Sequence, residues 1–172
     1  MSLPNQWVIA PPPKTLIVGV ADMIASNDAN AELITYSLGS CLGVAVYDPV
    51  SKVGGLLHLM LPDSSISPEK AAKHPFMFAD TGLPRLFHNL YSFGGVKSRL
   101  VVKVAGGAHL QGDQHVFNIG GRNVQSLRNI LAQNGVTPAA LDVGGHTSRT
   151  LRMRLSDGRI SIQSPGMTAY TL

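Results

Sequence analysis

The stretch LGVAVYDPVSKVGGLLHLML, residues 42–61, contains two apolar runs on either side of a polar turn. The runs cover residues 42–47 and 54–61, and the Asp48-Pro49 pair between them is typical of a turn. Side chains alternate between the two faces of a strand. The stretch therefore predicts an antiparallel β-hairpin in which one buried face carries six aliphatic side chains: Leu42, Val44, Val46, Leu57, Leu59 and Leu61.

The rest of the chain supplies further short strands and two amphipathic helices. Apolar runs predict strands at residues 16–20, 32–37, 99–105, 117–119, 140–143, 151–155 and 159–163. Helical spacing predicts one helix that carries Leu83 to Tyr91 and ends at Gly94-Gly95. A second helix is expected to start near Arg122-Asn123 and to end at Asn134-Gly135, and a single helical turn is expected at residues 68–70.

These elements predict an α+β fold. We expect a single domain at residues 15–172, built of mixed and mostly antiparallel sheets with two main helices packed on the outside, after a flexible N-terminal tail at residues 1–14. The length of 172 residues, with 44% hydrophobic residues, is enough for one ordinary core.

Composition argues against several classes of partner. The fourteen Lys and Arg residues are scattered along the chain, so the net charge of +4 does not predict a nucleic-acid site. No apolar run approaches the roughly 18 residues that cross a bilayer, so membrane insertion is not expected. The single cysteine forms no internal disulfide, which favours the reducing cytoplasm.

That cysteine, Cys41, stands next to the hairpin, and strand alternation places it on the same face as His58. A thiol is an effective nucleophile when a base lies within hydrogen-bond reach. We therefore predict that Cys41 is a nucleophile and His58 its general base. Gly39 permits a bend before Cys41, where backbone N–H groups around Ser40 could bind an oxyanion. Thr35, on the preceding strand, could orient the imidazole.

Structural roles remain open for each of these residues. A lone cysteine is more often buried in a core than catalytic, a histidine among leucines can be a hydrogen-bonded core residue, and threonine is a good strand former. Asn118, Arg122 and Asn123 could frame the site, although structural hydrogen bonds would explain them equally well.

Four longer motifs resemble the CheD family of chemoreceptor glutamine deamidases. They are TYSLGSCLGVAVYD (residues 35–48), GGLLHLMLP (54–62), KVAGGA (103–108) and NIGGRN (118–123), and the resemblance extends from about residue 16 onward. It implies that Cys41, His58 and Thr35 form the catalytic set. It also implies an α+β fold shared with the catalytic domains of deamidating bacterial toxins.

The resemblance further implies substrates and partners. The substrates would be glutamines on the cytoplasmic helices of methyl-accepting chemotaxis receptors. A CheC-type phosphatase, which in some family members competes with receptors for the same site, would be a partner. The chain departs from the family pattern where Ser148 precedes Arg149 and at His146, so we expect that loop to contact partners differently.

Three other functional classes are alternatives to a cysteine hydrolase. A non-catalytic adaptor that binds receptor helices or a CheC-type partner would use the same groove without turnover. A metal protein would need side chains at the spacing of metal ligands, and five scattered histidines lack that spacing: His74, His88, His109, His115 and His146. We therefore expect neither a metal nor another cofactor. A thiol redox sensor would need a second, resolving cysteine.

Overall fold

The structure, a computed structural model, describes residues 12–109 and 118–172. Within these ranges the chain forms the following strands: β1 (Lys14–Ile17), β2 (Asp22–Ser26), β3 (Ala31–Leu38), β4 (Leu42–Asp48), β5 (Val53–Leu59), β6 (Val101–Gly106), β7 (Ala140–Val143), β8 (Arg149–Arg154), β9 (Ile160–Gln163) and β10 (Tyr170–Thr171). The helices are α1 (Pro68–Lys73), α2 (Ala79–Ser92) and α3 (Ile119–Gln133), with short 3-10 turns at Ser64–Ile66, Pro75–Met77 and Lys97–Arg99.

The strands form two five-stranded sheets. The first sheet has the order β1-β3-β8-β9-β10, and the second has the order β2-β5-β4-β6-β7. Among the strands of the described ranges, only the β1–β3 and β6–β7 pairs are parallel. The predicted α+β class with mixed, mostly antiparallel sheets is confirmed. The resemblance to toxin catalytic domains stays a prediction.

Two apolar layers hold these elements together. On one face of the second sheet, Val44 and Leu57 pack with Leu86 of α2 and Leu127 of α3. On its other face, a second cluster fills the space between the two sheets: Ala45, Leu56, Leu33, Leu151 and Met153 among others. The second sheet is therefore the middle of three layers, and the two main helices cover its outer face, as predicted.

The β4–β5 hairpin is confirmed, with Leu42 opposite Leu59, Val44 opposite Leu57 and Gly43 opposite His58. Its two faces are both buried, because one faces the helices and the other faces the first sheet. Burial on both faces explains the nearly continuous apolar sequence. Leu61 was wrongly placed in the second strand, since β5 ends at Leu59 and Leu61 instead forms an isolated bridge with Phe78.

The turn of this hairpin is held by Asp48, whose side chain is fully buried. Its carboxylate accepts hydrogen bonds from the backbone N–H groups of Val50 and Val96 and from the guanidinium of Arg99. The Arg99 guanidinium holds the pKa of this carboxyl well below its usual range. Asp48 thus joins the hairpin to the segment that leads into β6.

Several boundaries differ from the predicted ones. The edge strand β2 was missed because its side chains are all half-buried and give no clear periodicity. The helix α3 begins at Ile119, three residues before the expected start, because Asn118 caps it. The predicted strand at 117–119 is therefore wrong at Ile119, which is helical. Phe117, the first residue of that predicted strand, lies outside the described residues.

The first predicted helix corresponds to α2, where Leu83, Leu86 and Leu90 are buried and Tyr91 is exposed. It stops as expected at the glycine pair: Gly94 has a φ of 91°, and the Gly95 N–H donates to the carbonyl of Leu90. No helix in the described ranges is long and apolar enough to cross a membrane. β1 begins at Lys14, and the division into a tail and a domain stays a prediction.

Candidate active site

The loop that carries Cys41 connects the two sheets. β3 of the first sheet ends at Leu38 and β4 of the second begins at Leu42, so residues 39–41 make the crossing. The segment after β6 supports this loop, because Gly107 N–H donates to the Cys41 carbonyl at 2.8 Å and Ala108 N–H donates to the Gly39 carbonyl at 2.7 Å. The backbone around Cys41 is therefore held from both ends.

Gly106 lies against the same loop and has no room for a side chain. Its φ is 113°, and an added Cβ would stand 2.2 Å from the carbonyl oxygen of Cys41. An L-residue rarely adopts that φ, and contact at that distance requires the loop to move. The glycine pair at 106–107 therefore supports the Cys41 backbone, since Gly106 leaves room for the Cys41 carbonyl and Gly107 N–H donates to it.

Thr35 and His58 meet across the two sheets. His58 Nδ1 lies 2.7 Å from Thr35 Oγ1, and the same hydroxyl donates to the carbonyl oxygen of Val18 at 2.9 Å. A threonine hydroxyl has one hydrogen, and Thr35 donates it in the hydrogen bond to the Val18 carbonyl. The Thr35 oxygen must therefore accept the hydrogen bond from His58 Nδ1–H. The proton of neutral His58 is thereby placed on Nδ1, and Nε2 keeps a free lone pair.

The free nitrogen of His58 is buried. The residue is 1% exposed, and Nε2 has no hydrogen-bond partner among the residues that the structure describes. Burial lowers the pKa of His58 to about 4. At neutral pH the imidazole is therefore uncharged, and its one accepting nitrogen is unused.

Cys41 lies on the same side of the hairpin as His58. Gly43 pairs with His58, and Cys41 precedes Gly43 by two residues, so it occupies the diagonal position on the face toward the first sheet. The residue is partly exposed. Burial raises the pKa of its thiol, and its own backbone N–H acts in the opposite direction. At neutral pH burial therefore favours the neutral forms of both the thiol and the imidazole.

Candidate oxyanion donors are the backbone N–H groups beside Cys41. Gly39 N–H donates to the Ser37 carbonyl, so Gly39 shapes the bend rather than supplying a donor. The N–H groups of Ser40 and Cys41 meet no backbone carbonyl within residues 12–109 and 118–172. Ser37, with a φ of 57°, takes part in the irregular pairing between Thr35 and Leu38 that turns the chain toward this loop.

The residues predicted to frame the site separate into two groups. Asn118 caps α3, since its side chain accepts from the Gly121 N–H, and Arg122 is exposed. Neither side chain hydrogen-bonds to Thr35, Cys41 or His58 in the described part of the chain. Their observed contacts are those of a helix terminus and a solvated surface.

Asn123, grouped with them in the sequence, is different because it is fully buried. Its side-chain nitrogen donates to the Ser40 carbonyl at 2.9 Å and to the Met60 carbonyl at 2.8 Å. A sequence signal for this exists: Asn123 falls on the buried stripe of α3 with Leu127 and Leu131. A polar residue on an apolar stripe needs buried hydrogen-bond partners, and here the partners are the two chain segments that carry Cys41 and His58.

The loop with the unusual residues His146 and Ser148 is tied down by Arg149. That guanidinium pairs with the Asp142 carboxylate at 3.0 Å and donates to the carbonyls of Gly144 and Thr147. His146 Nδ1 lies 2.9 Å from the carbonyl oxygen of His109. Among residues 12–109 and 118–172, no group of three or more His, Cys, Asp or Glu side chains is placed to hold a metal ion. His115 lies outside those ranges.

Comparison with known proteins points to one family. A family model described as CheD chemotactic sensory transduction matches residues 60–164. The chain is 46% identical over 88% of its length to a probable chemoreceptor glutamine deamidase CheD 1 of Syntrophus aciditrophicus, of which the match covers 94%. It is 45% identical, again over 88% of its length, to the probable chemoreceptor glutamine deamidase CheD of Solibacter usitatus, of which 89% is covered.

A further relative is the probable chemoreceptor glutamine deamidase CheD 2 of Anaeromyxobacter dehalogenans, at 45% identity over 88% of this chain and 96% of the relative. The family model begins after His58, but matches that span 88% of the chain also extend over residues 35–58. Both the family model and the full-length relatives thus agree with the resemblance carried by the motifs. This chain belongs to the CheD family.

Proposed function

We propose that the protein is a cytoplasmic glutamine deamidase that converts glutamine side chains of chemotaxis receptors to glutamate, with Cys41 as nucleophile and His58 as general base. The observation that carries the proposal is the Thr35–His58 hydrogen bond, because it leaves His58 Nε2 as an acceptor with no partner in the part of the chain that the structure describes. The names of the full-length relatives, probable chemoreceptor glutamine deamidases, support the choice of substrate.

In the first half of the reaction, the Cys41 thiol gives its proton to His58 Nε2 as its sulfur bonds to the glutamine Cδ. Because burial favours neutral forms of both groups, this proton moves during the attack rather than before it. The oxygen that becomes negative is held by the N–H groups of Ser40 and Cys41. His58 then returns its proton to the amide nitrogen, the C–N bond breaks, and ammonia leaves a thioester.

In the second half, a water molecule attacks the thioester carbon and His58 Nε2 takes its proton. The C–S bond breaks, the proton passes to the Cys41 sulfur, and glutamate is released. Thr35 accepts from Nδ1–H throughout and so keeps the imidazole in the orientation that both halves need. No cofactor takes part in these steps.

The partners in this proposal are the cytoplasmic helices of methyl-accepting receptors and a CheC-type phosphatase that competes with them. His146 and Ser148, where the chain departs from the family pattern, lie in a loop that Arg149 holds through the carbonyls of Gly144 and Thr147, and their side chains would meet such partners. Competition between a receptor fragment and purified CheC for this protein would test the second partner.

The decisive experiment incubates the protein with a receptor cytoplasmic fragment and follows ammonia release together with mass spectrometry of the fragment. Wild-type protein should convert specific glutamines to glutamate. Cys41→Ala and His58→Gln should abolish the conversion while both variants keep the wild-type circular dichroism. His88→Gln is the matched control, because His88 is an exposed residue of α2 on the far side of the second sheet.

Two results would contradict the proposal. Full turnover by Cys41→Ala would remove the nucleophile from the mechanism. Tight binding of the receptor fragment by wild-type protein without any amide-to-acid conversion would instead favour the non-catalytic adaptor.

A further inference from the structure

The side-chain amide of Asn123 is fixed in one orientation. Both of its N–H groups are used, one on the Ser40 carbonyl at 2.9 Å and one on the Met60 carbonyl at 2.8 Å. Rotation of the amide by half a turn would place its oxygen against a carbonyl oxygen, and neither the Ser40 nor the Met60 carbonyl has a proton to donate. The oxygen Oδ1 stays buried without a partner among the described residues, so the amide serves as a double donor.

The first of these bonds sets the direction of a neighbouring group. The Ser40 carbonyl and the Cys41 N–H belong to one planar peptide unit, which is trans. In a trans peptide the C=O and N–H bonds point in opposite directions. Because Asn123 holds the Ser40 oxygen toward α3, the Cys41 N–H is directed away from α3, where it meets no backbone acceptor in the described residues.

The remaining contacts prevent this peptide from rotating. On the other side of Cys41, its own carbonyl accepts from Gly107 N–H at 2.8 Å. The second donor of Asn123 goes to Met60, which follows His58 by two residues, so the peptide is held relative to the strand that carries the base. Rotation of the Ser40–Cys41 peptide would leave the Asn123 donor unpaired in a buried site, which is unfavourable.

We propose that Asn123 is a positioning residue that holds the Ser40–Cys41 peptide so that the Cys41 N–H faces the oxyanion of the reaction intermediate. The inference rests on the proposed function, since it takes Cys41 as the nucleophile. The oxyanion exists only after attack, so a donor aimed at it stabilises the transition state and not the bound substrate. Loss of Asn123 should therefore lower kcat and leave KM nearly unchanged.

The test compares turnover with alkylation of Cys41. Iodoacetamide reacts at a saturated carbon and forms no oxyanion, so its rate reports only on the thiol and His58. Asn123→Ala and the isosteric Asn123→Asp, which lacks both donors, should lower kcat on a receptor fragment roughly 100-fold, the effect of losing one oxyanion donor. Their alkylation rates should stay close to that of wild-type protein. Asn129→Ala is the control, because Asn129 is exposed on the same helix and its side chain accepts a hydrogen bond from Gln125, away from the site.

Two outcomes would overturn the inference. A parallel loss of turnover and alkylation would mean that Asn123 merely supports the placement of Cys41 and His58. Unchanged turnover in folded Asn123 variants would mean that it has no role in the reaction.

A measurement on wild-type protein covers the case in which the variants do not fold. A peptide with an aldehyde in place of the glutamine amide adds the Cys41 thiol to its carbonyl carbon, and the carbonyl oxygen takes up the proton as a thiohemiacetal. In ¹⁵N NMR spectra the Cys41 amide proton should shift downfield in this adduct, and the two Asn123 side-chain protons should exchange slowly. If the Cys41 amide proton did not shift, or if the Asn123 side-chain protons exchanged rapidly, the inference would be overturned. Thiol addition needs no deamidation, so failure of wild-type protein to release ammonia would contradict the proposed function alone.

Discussion

Replacement of Thr35 by valine tests how the imidazole is oriented. Valine has nearly the same shape as threonine but no hydroxyl, so two buried groups lose their partner: His58 Nδ1–H at 2.7 Å and the Val18 carbonyl at 2.9 Å. Each unpaired buried polar group destabilises a protein by about 1–3 kcal/mol. The free energy of unfolding of Thr35→Val should therefore fall by about 2–6 kcal/mol.

The same change should slow the reaction in the molecules that remain folded. Without the Thr35 oxygen, the tautomer with its proton on Nε2 is no longer disfavoured, and that tautomer cannot accept the thiol proton. A hydrogen bond contributes a net 0.5–1.5 kcal/mol, and about 1.4 kcal/mol corresponds to a tenfold change in a population. We expect kcat to fall about tenfold from the shift in tautomer, and further if the ring also turns.

Thr35→Ser is the matched variant for this experiment. It keeps the hydroxyl and loses one buried methyl group, which should cost about 1 kcal/mol of stability and leave kcat near the wild-type value. Urea unfolding gives the stability and ammonia release gives kcat. A folded Thr35→Val protein with wild-type kcat would refute the assignment of the imidazole orientation to Thr35.

Two other perturbations follow from the same site. His58 has a pKa of about 4 in the folded protein against the ordinary 6.5, so the unfolded chain binds more protons between these pH values, and the unfolding free energy should fall by roughly 3 kcal/mol as the pH drops from 6.5 to 4. His58→Gln should remove that part of the pH dependence in urea titrations, and an unchanged slope would contradict it. Gly106→Ala should lower turnover about 100-fold, because the new Cβ would push the Cys41 carbonyl from its place and small misplacements are costly to catalysis. Gly135→Ala, also at positive φ but with open space around it, should lose only about 1–2 kcal/mol of stability, and equal activity of the two alanine variants would show that the Cys41 loop tolerates the displacement.

The sequence was most informative where local periodicity and short-range pairing decide the structure. The hairpin of β4 and β5 could be predicted with its two faces, apart from Leu61 at its end, because alternation and a turn signal determine how two adjacent strands pair. The two helices were predictable from their apolar stripes. The edge strands β2 and β10 were not, since one is half-buried throughout and the other has only two residues.

The site was predictable only in part, because its decisive contacts cross between sheets. Strand alternation indicated Cys41 and His58, and the resemblance to the CheD family implied that Thr35 completes the set. The carbonyl of Val18 accepts the hydrogen bond from the Thr35 hydroxyl and so determines the tautomer of His58. Val18 lies 17 residues from Thr35 in the chain, and a backbone carbonyl has no sequence signal. Asn123 lies 83 residues from Ser40, and only its position on an apolar stripe gave a hint of a buried role.

The position of the site between the sheets has a physical consequence for its chemistry. Thr35 belongs to the first sheet and His58 to the second, so the bond that directs the imidazole exists only while the two sheets are packed together. The burial that lowers the pKa of His58 and raises that of Cys41 depends on the same packing. A change that separates the sheets therefore removes both the orientation of the base and the neutral state of the pair. Core substitutions between the sheets, such as at Leu151 or Leu56, should thus affect turnover more than equally destabilising substitutions in the layer under α2 and α3.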